Sequence, residues 1–162
     1  MIVLTHFDAP VSEPVNSQIM HMVVDQLTEL SMMDLTPSNL LYNIYQYTLG
    51  YEVHLYLEAL GGTQGIAVEL IVATDEQAPD TITGFVLYLP VKDDPQACGI
   101  AYMAERSSHH GQGVTRALLQ AVIARYPHTE LTCSVRRVAD FEAMGLHILG
   151  TRGPQLVMNT RD

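Results

Sequence analysis

Residues 98–119 read CGIAYMAERSSHHGQGVTRALL and decide the fold of this chain. Residues 98–103 form an apolar, strand-like run, and residues 105–112 form a polar loop. Across residues 114–126 apolar side chains recur at helical spacing, until Pro127 ends the pattern. The stretch therefore predicts a strand, a loop with two glycines and a helix in direct succession.

The loop itself has the composition of a ligand-binding turn. It reads His110-Gly111-Gln112-Gly113-Val114-Thr115-Arg116, and glycines let a backbone approach a ligand closely. Free N–H groups at the start of a helix also meet the positive end of the helix dipole. The turn is therefore suited to phosphate oxygens, and the alternative is that it is only a tight turn.

Upstream of the loop, strand-like runs at residues 66–73, 82–89 and 98–103 predict an antiparallel meander. Residues 1–7 predict a further strand, and residues 14–33 predict a helix. We expect a second helix to begin at Thr36-Pro37-Ser38 and to end at Gly50. Residues 51–60 fit both a strand and a helix, and we favour a helix that ends at Gly61-Gly62.

Downstream of the loop helix, the pattern predicts a strand at residues 130–135 and a short helix at 138–144 that is ended by Gly145. A last strand pair follows within residues 148–158. This order is not a regular alternation of strands and helices. We therefore expect one α/β domain, residues 1–162, with a central mixed sheet flanked by helices.

The charge distribution narrows the classes of partner. Residues 1–105 hold fourteen acidic residues and one basic residue, a formal charge of −13, whereas residues 106–162 carry +3. Nucleic acid is excluded as a partner, because binding phosphates requires clustered Lys and Arg. A cationic partner would be drawn to the acidic half, and a solvated acidic face is the alternative reading.

Other classes of protein are disfavoured by composition. Cys98 and Cys133 are too few for a disulfide framework, and the seven histidines lack the spacing of metal ligands. No apolar run approaches the roughly 20 residues that span a bilayer. We therefore expect a cytoplasmic protein with no metal and no membrane partner.

Residues 98–119 resemble the cofactor-binding segment of the GNAT superfamily of N-acetyltransferases. The family's loop reads Arg or Gln, two variable residues, Gly, one variable residue, then Gly or Ala. The distance to Leu118-Leu119 favours a register with His110, Gly113 and Thr115 at the three defined positions. A register that begins at Ser108 is the alternative.

The resemblance implies the GNAT-like acyl-CoA N-acyltransferase fold, with a mostly antiparallel sheet, and direct transfer of an acetyl group from acetyl-CoA to an amine. In this family the strand before the loop splays from its neighbour, and its backbone pairs with the pantetheine arm. By resemblance, the residues that bind the cofactor are Met103, Ala104, Glu105, His110, Gly111, Gln112, Gly113, Val114, Thr115 and Arg116.

The residue expected to act as general acid differs from the family pattern. Residues 141–146 resemble a family segment that begins with a tyrosine, which often protonates the departing CoA thiolate. Phe141 stands in its place and has no hydroxyl. Ser134, near a family asparagine, is a weak hydrogen-bond donor. The departures at His110, Thr115 and Phe141 favour the alternative of a catalytically degenerate binding or regulatory module.

The group that accepts the amine proton is left open by the sequence. The candidates are Glu69, Tyr102, Glu105 and His109, each of which can also be a solvated or packing residue. The acceptor amine is expected to be a small cationic molecule or a protein amine. A homodimer is a further expectation, because the tyrosine-rich helix of residues 40–49 can present an interface.

Overall fold

Seven strands form one sheet in the computed structural model, which describes residues 1–26 and 38–161. The strands are β1 Ile2–Phe7, β2 Glu69–Asp75, β3 Ala78–Pro90, β4 Ala97–Glu105, β5 His128–Cys133, β6 His147–Arg152 and β7 Gln155–Asn159. Their order across the sheet is β1-β2-β3-β4-β5-β7-β6. Only β4 and β5 run parallel, so the predicted mixed, mostly antiparallel sheet is confirmed.

Four α-helices accompany the sheet in the described residues: α1 Glu13–Asp25, α2 Tyr42–Glu58, α3 Val114–Arg125 and α4 Val138–Glu142. The side chains of β3 point alternately to the two faces of the sheet, which explains why helices pack on both faces. Phe85 and Leu87 join the apolar cluster of α1 and α2, whereas Val86 and Tyr88 join the cluster of α3. The central strands are therefore covered on both sides.

The prediction that a helix ends at Gly50 is wrong. Helix α2 passes through Gly50 and continues to Glu58, which confirms the preference for a helix in residues 51–60. Gly50 is buried beside α1, and a Cβ at this position would lie 3.5 Å from Met20 Cε. Packing against α1 therefore outweighs the helix-breaking tendency of glycine. The expected start of this helix at Thr36-Pro37 lies outside the described residues, as does part of the helix predicted at 14–33.

A glycine on β3 sets the position of α3. A Cβ on Gly84 would lie 2.5 Å from Val114 Cγ1 and 2.9 Å from the carbonyl oxygen of Ala104. Only the missing side chain lets the first turn of α3 approach the sheet this closely. The loop that precedes α3 is thereby fixed beside the end of β4. Within residues 1–26 and 38–161, no helix has the length and apolar character needed to cross a membrane.

Candidate active site

A cleft opens where β4 and β5 diverge. The two strands pair only from Ala97 to Gly99 on β4, opposite His128, Thr129 and Glu130 on β5. Against β3, the register of β4 shifts by one residue so that Ala101 is extra, and a bulge of this kind bends a strand. The gap has a volume of about 1050 Å³ and reaches residues of both sheet faces.

The structure brings five of the ten predicted cofactor-binding residues to one part of the cleft. Its wall includes Met103, Ala104, Glu105, His110 and Thr115. Other loop residues, Gly111, Gln112, Gly113 and Arg116, are exposed beside the wall, and Val114 is a core residue instead.

The two loop glycines form an open backbone turn. Gly111 and Gly113 have φ values of +79° and +83°, which other residues rarely adopt. A Cβ added to either would find no heavy atom within 4 Å. Gly113 also precedes the first residue of α3, where helix N–H groups have no partner within the helix. The turn therefore leaves open space beside its backbone at the positive end of a helix.

The side chain of Glu105 already occupies part of this turn. His110 Nδ1 lies 2.7 Å from Glu105 Oε1, and the Thr115 N–H donates to Glu105 Oε2 at 3.4 Å. The Gln26 side-chain amide donates to the Glu105 carbonyl oxygen. Glu105 is 13% exposed, so its carboxylate is largely sheltered at the N-terminus of α3, where a negative charge is stabilised.

Three catalytic candidates from the sequence line the cleft: Glu105, whose contacts are given above, Tyr102 and Ser134. The Tyr102 ring centre is 6.2 Å from that of Tyr56. Burial, followed by the nearby Glu52 carboxylate, raises the pKa of Tyr102, so its hydroxyl stays protonated at neutral pH. The Ser134 Oγ is buried and has no hydrogen-bond partner among the described residues.

Glu69 and His109 are not brought into the cleft. Glu69 accepts hydrogen bonds from the Arg125 guanidinium at 3.0 and 3.3 Å, and His6 Nε2 lies 3.9 Å from it. This cluster lies at the C-terminal end of α3, whereas the cleft lies at its N-terminal end. The His109 ring bonds to Ser108 Oγ at 2.9 Å.

Sequence reasoning missed several residues of the cleft wall. Helix α2 contributes Tyr45, Glu52 and Tyr56, and the segment after β5 contributes Arg136 and Arg137. The sequence signal for the α2 residues was the spacing of positions 45, 49, 52 and 56, which places these four side chains on one face of a helix. It could be read only after residues 51–60 were known to be helical.

The lip of the cleft after β5 combines an aromatic ring with a cation. Phe141 is buried and lines the cleft, and the Arg137 guanidinium carbon lies 5.2 Å from the centre of its ring. Arg137 Nε is also 3.7 Å from Asp140 Oδ2. A positive group therefore stands beside the Phe141 ring.

A mixed sheet that splits between a parallel strand pair, with a glycine turn at the opening, defines the acyl-CoA N-acyltransferase fold, and solved structures share it. A PaiA N-acetyltransferase from Thermoplasma acidophilum, in complex with coenzyme A, has a TM-score of 0.74 at 8% identity, covering 100% of this chain and 99% of that chain. A GNAT-family acetyltransferase from Staphylococcus aureus has a TM-score of 0.62 at 10% identity, covering 99% and 100%. An acyl-CoA N-acyltransferase from Pseudomonas aeruginosa has 0.60 at 12%, also covering 99% and 100%.

The family follows from a sequence comparison. Residues 34–150, well over half of the chain, match the model of the acetyltransferase (GNAT) family. The chain therefore belongs to the GNAT acetyltransferase family, as its resemblance in residues 98–119 predicted. The search of the curated proteins gives no match.

Proposed function

We propose that this protein is an N-acetyltransferase that uses acetyl-CoA and transfers the acetyl group directly to an amine. The observation that carries the proposal is the cleft between β4 and β5, with the glycine turn at its edge. Beyond Gly99, β4 has no pairing with β5, so its backbone groups on that side are available to an extended ligand.

The residues present fit such a cofactor. A phosphate can occupy the open space beside Gly111 and Gly113, and a Cβ at either position would fill part of that space. Arg136 and Arg137 line the same cleft and supply positive charge. The cleft volume of about 1050 Å³ suffices for the pantetheine arm together with a small acceptor. The Glu105 carboxylate opposes the fit and has to turn away from the Thr115 N–H when a phosphate binds there.

Acetyl-CoA would supply an activated acyl group: the amine nitrogen would bond to the carbonyl carbon as the carbon–sulfur bond breaks, and the proton lost by the amine would pass, directly or through water, to the departing CoA thiolate. The chain positions the acceptor and excludes water, because the cleft wall contains Tyr56, Tyr102 and Phe141. The Tyr102 and Ser134 hydroxyls are among the neutral donors of the wall, and Arg137 offers a positive charge.

Titration calorimetry with CoA and acetyl-CoA tests the proposal, and the chain offers a matched control. Gly113→Ala and Gly62→Ala both place a Cβ at positive φ, +83° and +76°, with no heavy atom nearby. Backbone strain is therefore similar, but only Gly113 borders the proposed phosphate site. We expect micromolar binding that is at least about tenfold weaker in Gly113→Ala and unchanged in Gly62→Ala. No binding at millimolar cofactor would refute the proposal.

A second candidate is a binding or regulatory module that retains the fold without catalysis. It is favoured by Phe141, which cannot protonate a thiolate, and by the Glu105 carboxylate at the Thr115 N–H. Release of free CoA thiol from acetyl-CoA, measured with a panel of amines, separates the two candidates. Tight cofactor binding with no thiol release for any amine would favour the module.

A further inference from the structure

We propose that the cleft takes acyl-CoA donors whose aliphatic chain is longer than acetyl, and that the tail of this chain lies in a gap above Gly99. The gap is the space that a side chain of Gly99 would occupy, at the end of the cleft where β4 and β5 begin to part. This inference rests on the proposed acetyltransferase function and specifies the acyl donor of the same cleft.

Gly99 is the residue without a side chain in a row that crosses three strands. It pairs with Leu89 on β3 and with Glu130 on β5, and all three residues line the cleft. Paired residues of neighbouring strands point to the same face of a sheet, and Leu89 packs on the face that α1 and α2 cover. The gap above Gly99 therefore opens on the α2 side of the sheet, between Leu89 and Glu130.

The usual structural reasons for a glycine within a strand do not apply to Gly99. Such a glycine weakens the strand and often marks a bulge, a bend or the close approach of a backbone or a ligand. Gly99 has regular pairing, because the extra residue of β4 is Ala101, and its φ is not positive. A Cβ at Gly99 would find no heavy atom of the described residues within 4 Å, whereas one at Gly84 would lie 2.5 Å from Val114 Cγ1. The space is therefore open to a ligand.

Apolar side chains surround this end of the cleft. Leu89 and Ala101 line it and pack against the apolar cluster of α1 and α2. The facing helix α2 adds Tyr45 and the buried Leu49 to the lining of the cleft. Glu130 borders the gap on the β5 side, so the apolar contacts are those to β3, β4 and α2. An aliphatic chain suits such a gap, because each methylene group that it buries strengthens binding about fourfold.

The proposed binding mode brings the acyl end of the cofactor to this gap. The glycine turn, which would hold the phosphates, follows the Glu105 end of β4, and the stretch of β4 without a β5 partner runs from there to Gly99. A pantetheine arm along β4 therefore points its thioester toward Gly99. The bulge at Ala101 lies two residues from Gly99, about 7 Å along a strand, which is room for a tail of a few methylene groups.

The test is calorimetric titration of the full chain with CoA, acetyl-CoA and butyryl-CoA, which has two more methylene groups than acetyl-CoA. The variants are Gly99→Val, which fills the gap, and the control Gly150→Val. Gly150 also lies in a strand and has no heavy atom of the described residues near its added Cβ, but it does not line the cleft. We expect wild type and Gly150→Val to bind butyryl-CoA roughly tenfold more tightly than acetyl-CoA. Gly99→Val should lose this preference and keep its affinity for CoA.

The outcomes separate this inference from the proposed function. If CoA binds to wild type but butyryl-CoA binds no more tightly than acetyl-CoA, the acyl gap is overturned and the proposed acetyltransferase is unaffected. If CoA itself fails to bind at millimolar concentration, both are overturned. Gly99→Ala, which adds a single methyl group, should reduce the preference for butyryl-CoA to an intermediate value, and it serves as the test if Gly99→Val disturbs β4. A preference that survives unchanged in these variants would also overturn the proposal, because the acyl tail would then lie elsewhere.

Discussion

Gly84→Ala should destabilise the protein and displace the loop at the cleft. The new Cβ would lie 2.5 Å from Val114 Cγ1, 2.9 Å from the Ala104 carbonyl oxygen and 3.1 Å from Leu118 Cδ1. Carbon atoms prefer separations of about 3.5 to 4.0 Å, so the first contact is about 1 Å too short. Val114 and Leu118 are buried, so neither side chain can move into solvent.

The expected cost follows from two opposing effects. Overpacking of this kind costs typically about 1 to 3 kcal/mol. Replacing glycine by alanine within a strand returns about 0.5 to 1 kcal/mol, because the unfolded chain loses freedom. We therefore expect a net loss of about 1 to 2 kcal/mol in the free energy of unfolding. In urea this lowers the unfolding midpoint by roughly 0.5 to 1 M with an unchanged slope.

A second variant identifies the contact responsible. Val114→Ala removes Cγ1, so Gly84→Ala should cost about 1 kcal/mol less in the Val114→Ala background than in wild type. The same titration series should show weaker CoA binding in Gly84→Ala, because Val114 is the first residue of α3 and adjoins Gly113. Equal costs in the two backgrounds, or a neutral Gly84→Ala, would show that close approach of α3 to β3 does not matter.

Three further predictions concern charge and assembly. Glu105→Gln should tighten CoA binding several-fold in calorimetry, because the carboxylate beside the Thr115 N–H repels a diphosphate; weaker binding would contradict this. Burial raises the pKa of the Cys98 thiol from an ordinary value near 9 to about 11. The stabilisation that the buried thiol provides is therefore complete below pH 9 and is lost as the pH rises towards 11. In urea titrations Cys98→Ala should lose less stability over this pH range than wild type, and an unchanged dependence on pH would refute the prediction. The homodimer expected through residues 40–49 would bury Tyr47, which is 76% exposed in the single chain. Tyr47→Glu should therefore yield monomers in sedimentation experiments, and a wild type that is itself monomeric would refute the homodimer.

Local patterns were sufficient to predict most of the fold. The spacing of apolar residues gave the meander and the loop helix because each β-strand or helix is long enough to show its own period. Gly50 was misread since a glycine in sequence does not reveal whether it ends a helix or packs against another one. The close approach at Gly84 was not visible either, because it depends on Val114, thirty residues away.

The site could be predicted only where it is local in sequence. Residues 103–115 include the end of β4, the turn and the start of α3, so one motif was enough to bring them together. Glu52 joins the cleft from a different part of the chain, so no local motif could bring it beside β4. Glu69 shows the complementary limit: its strand was predicted, but its pairing with Arg125 at the far end of α3 was not.

Positive charge lies on both lips of the cleft. At the glycine turn, His110 Nδ1 lies 2.7 Å from Glu105 Oε1, so this end of the turn also holds a carboxylate. The turn offers a diphosphate its backbone N–H groups and the exposed Arg116 side chain. On the other lip, Arg136 and Arg137 line the cleft, and Arg137 stands over the Phe141 ring with its Nε 3.7 Å from Asp140 Oδ2. The proposed enzyme would therefore recognise the negative charge of CoA from both sides, with the glycine turn on one lip and the segment after β5 on the other.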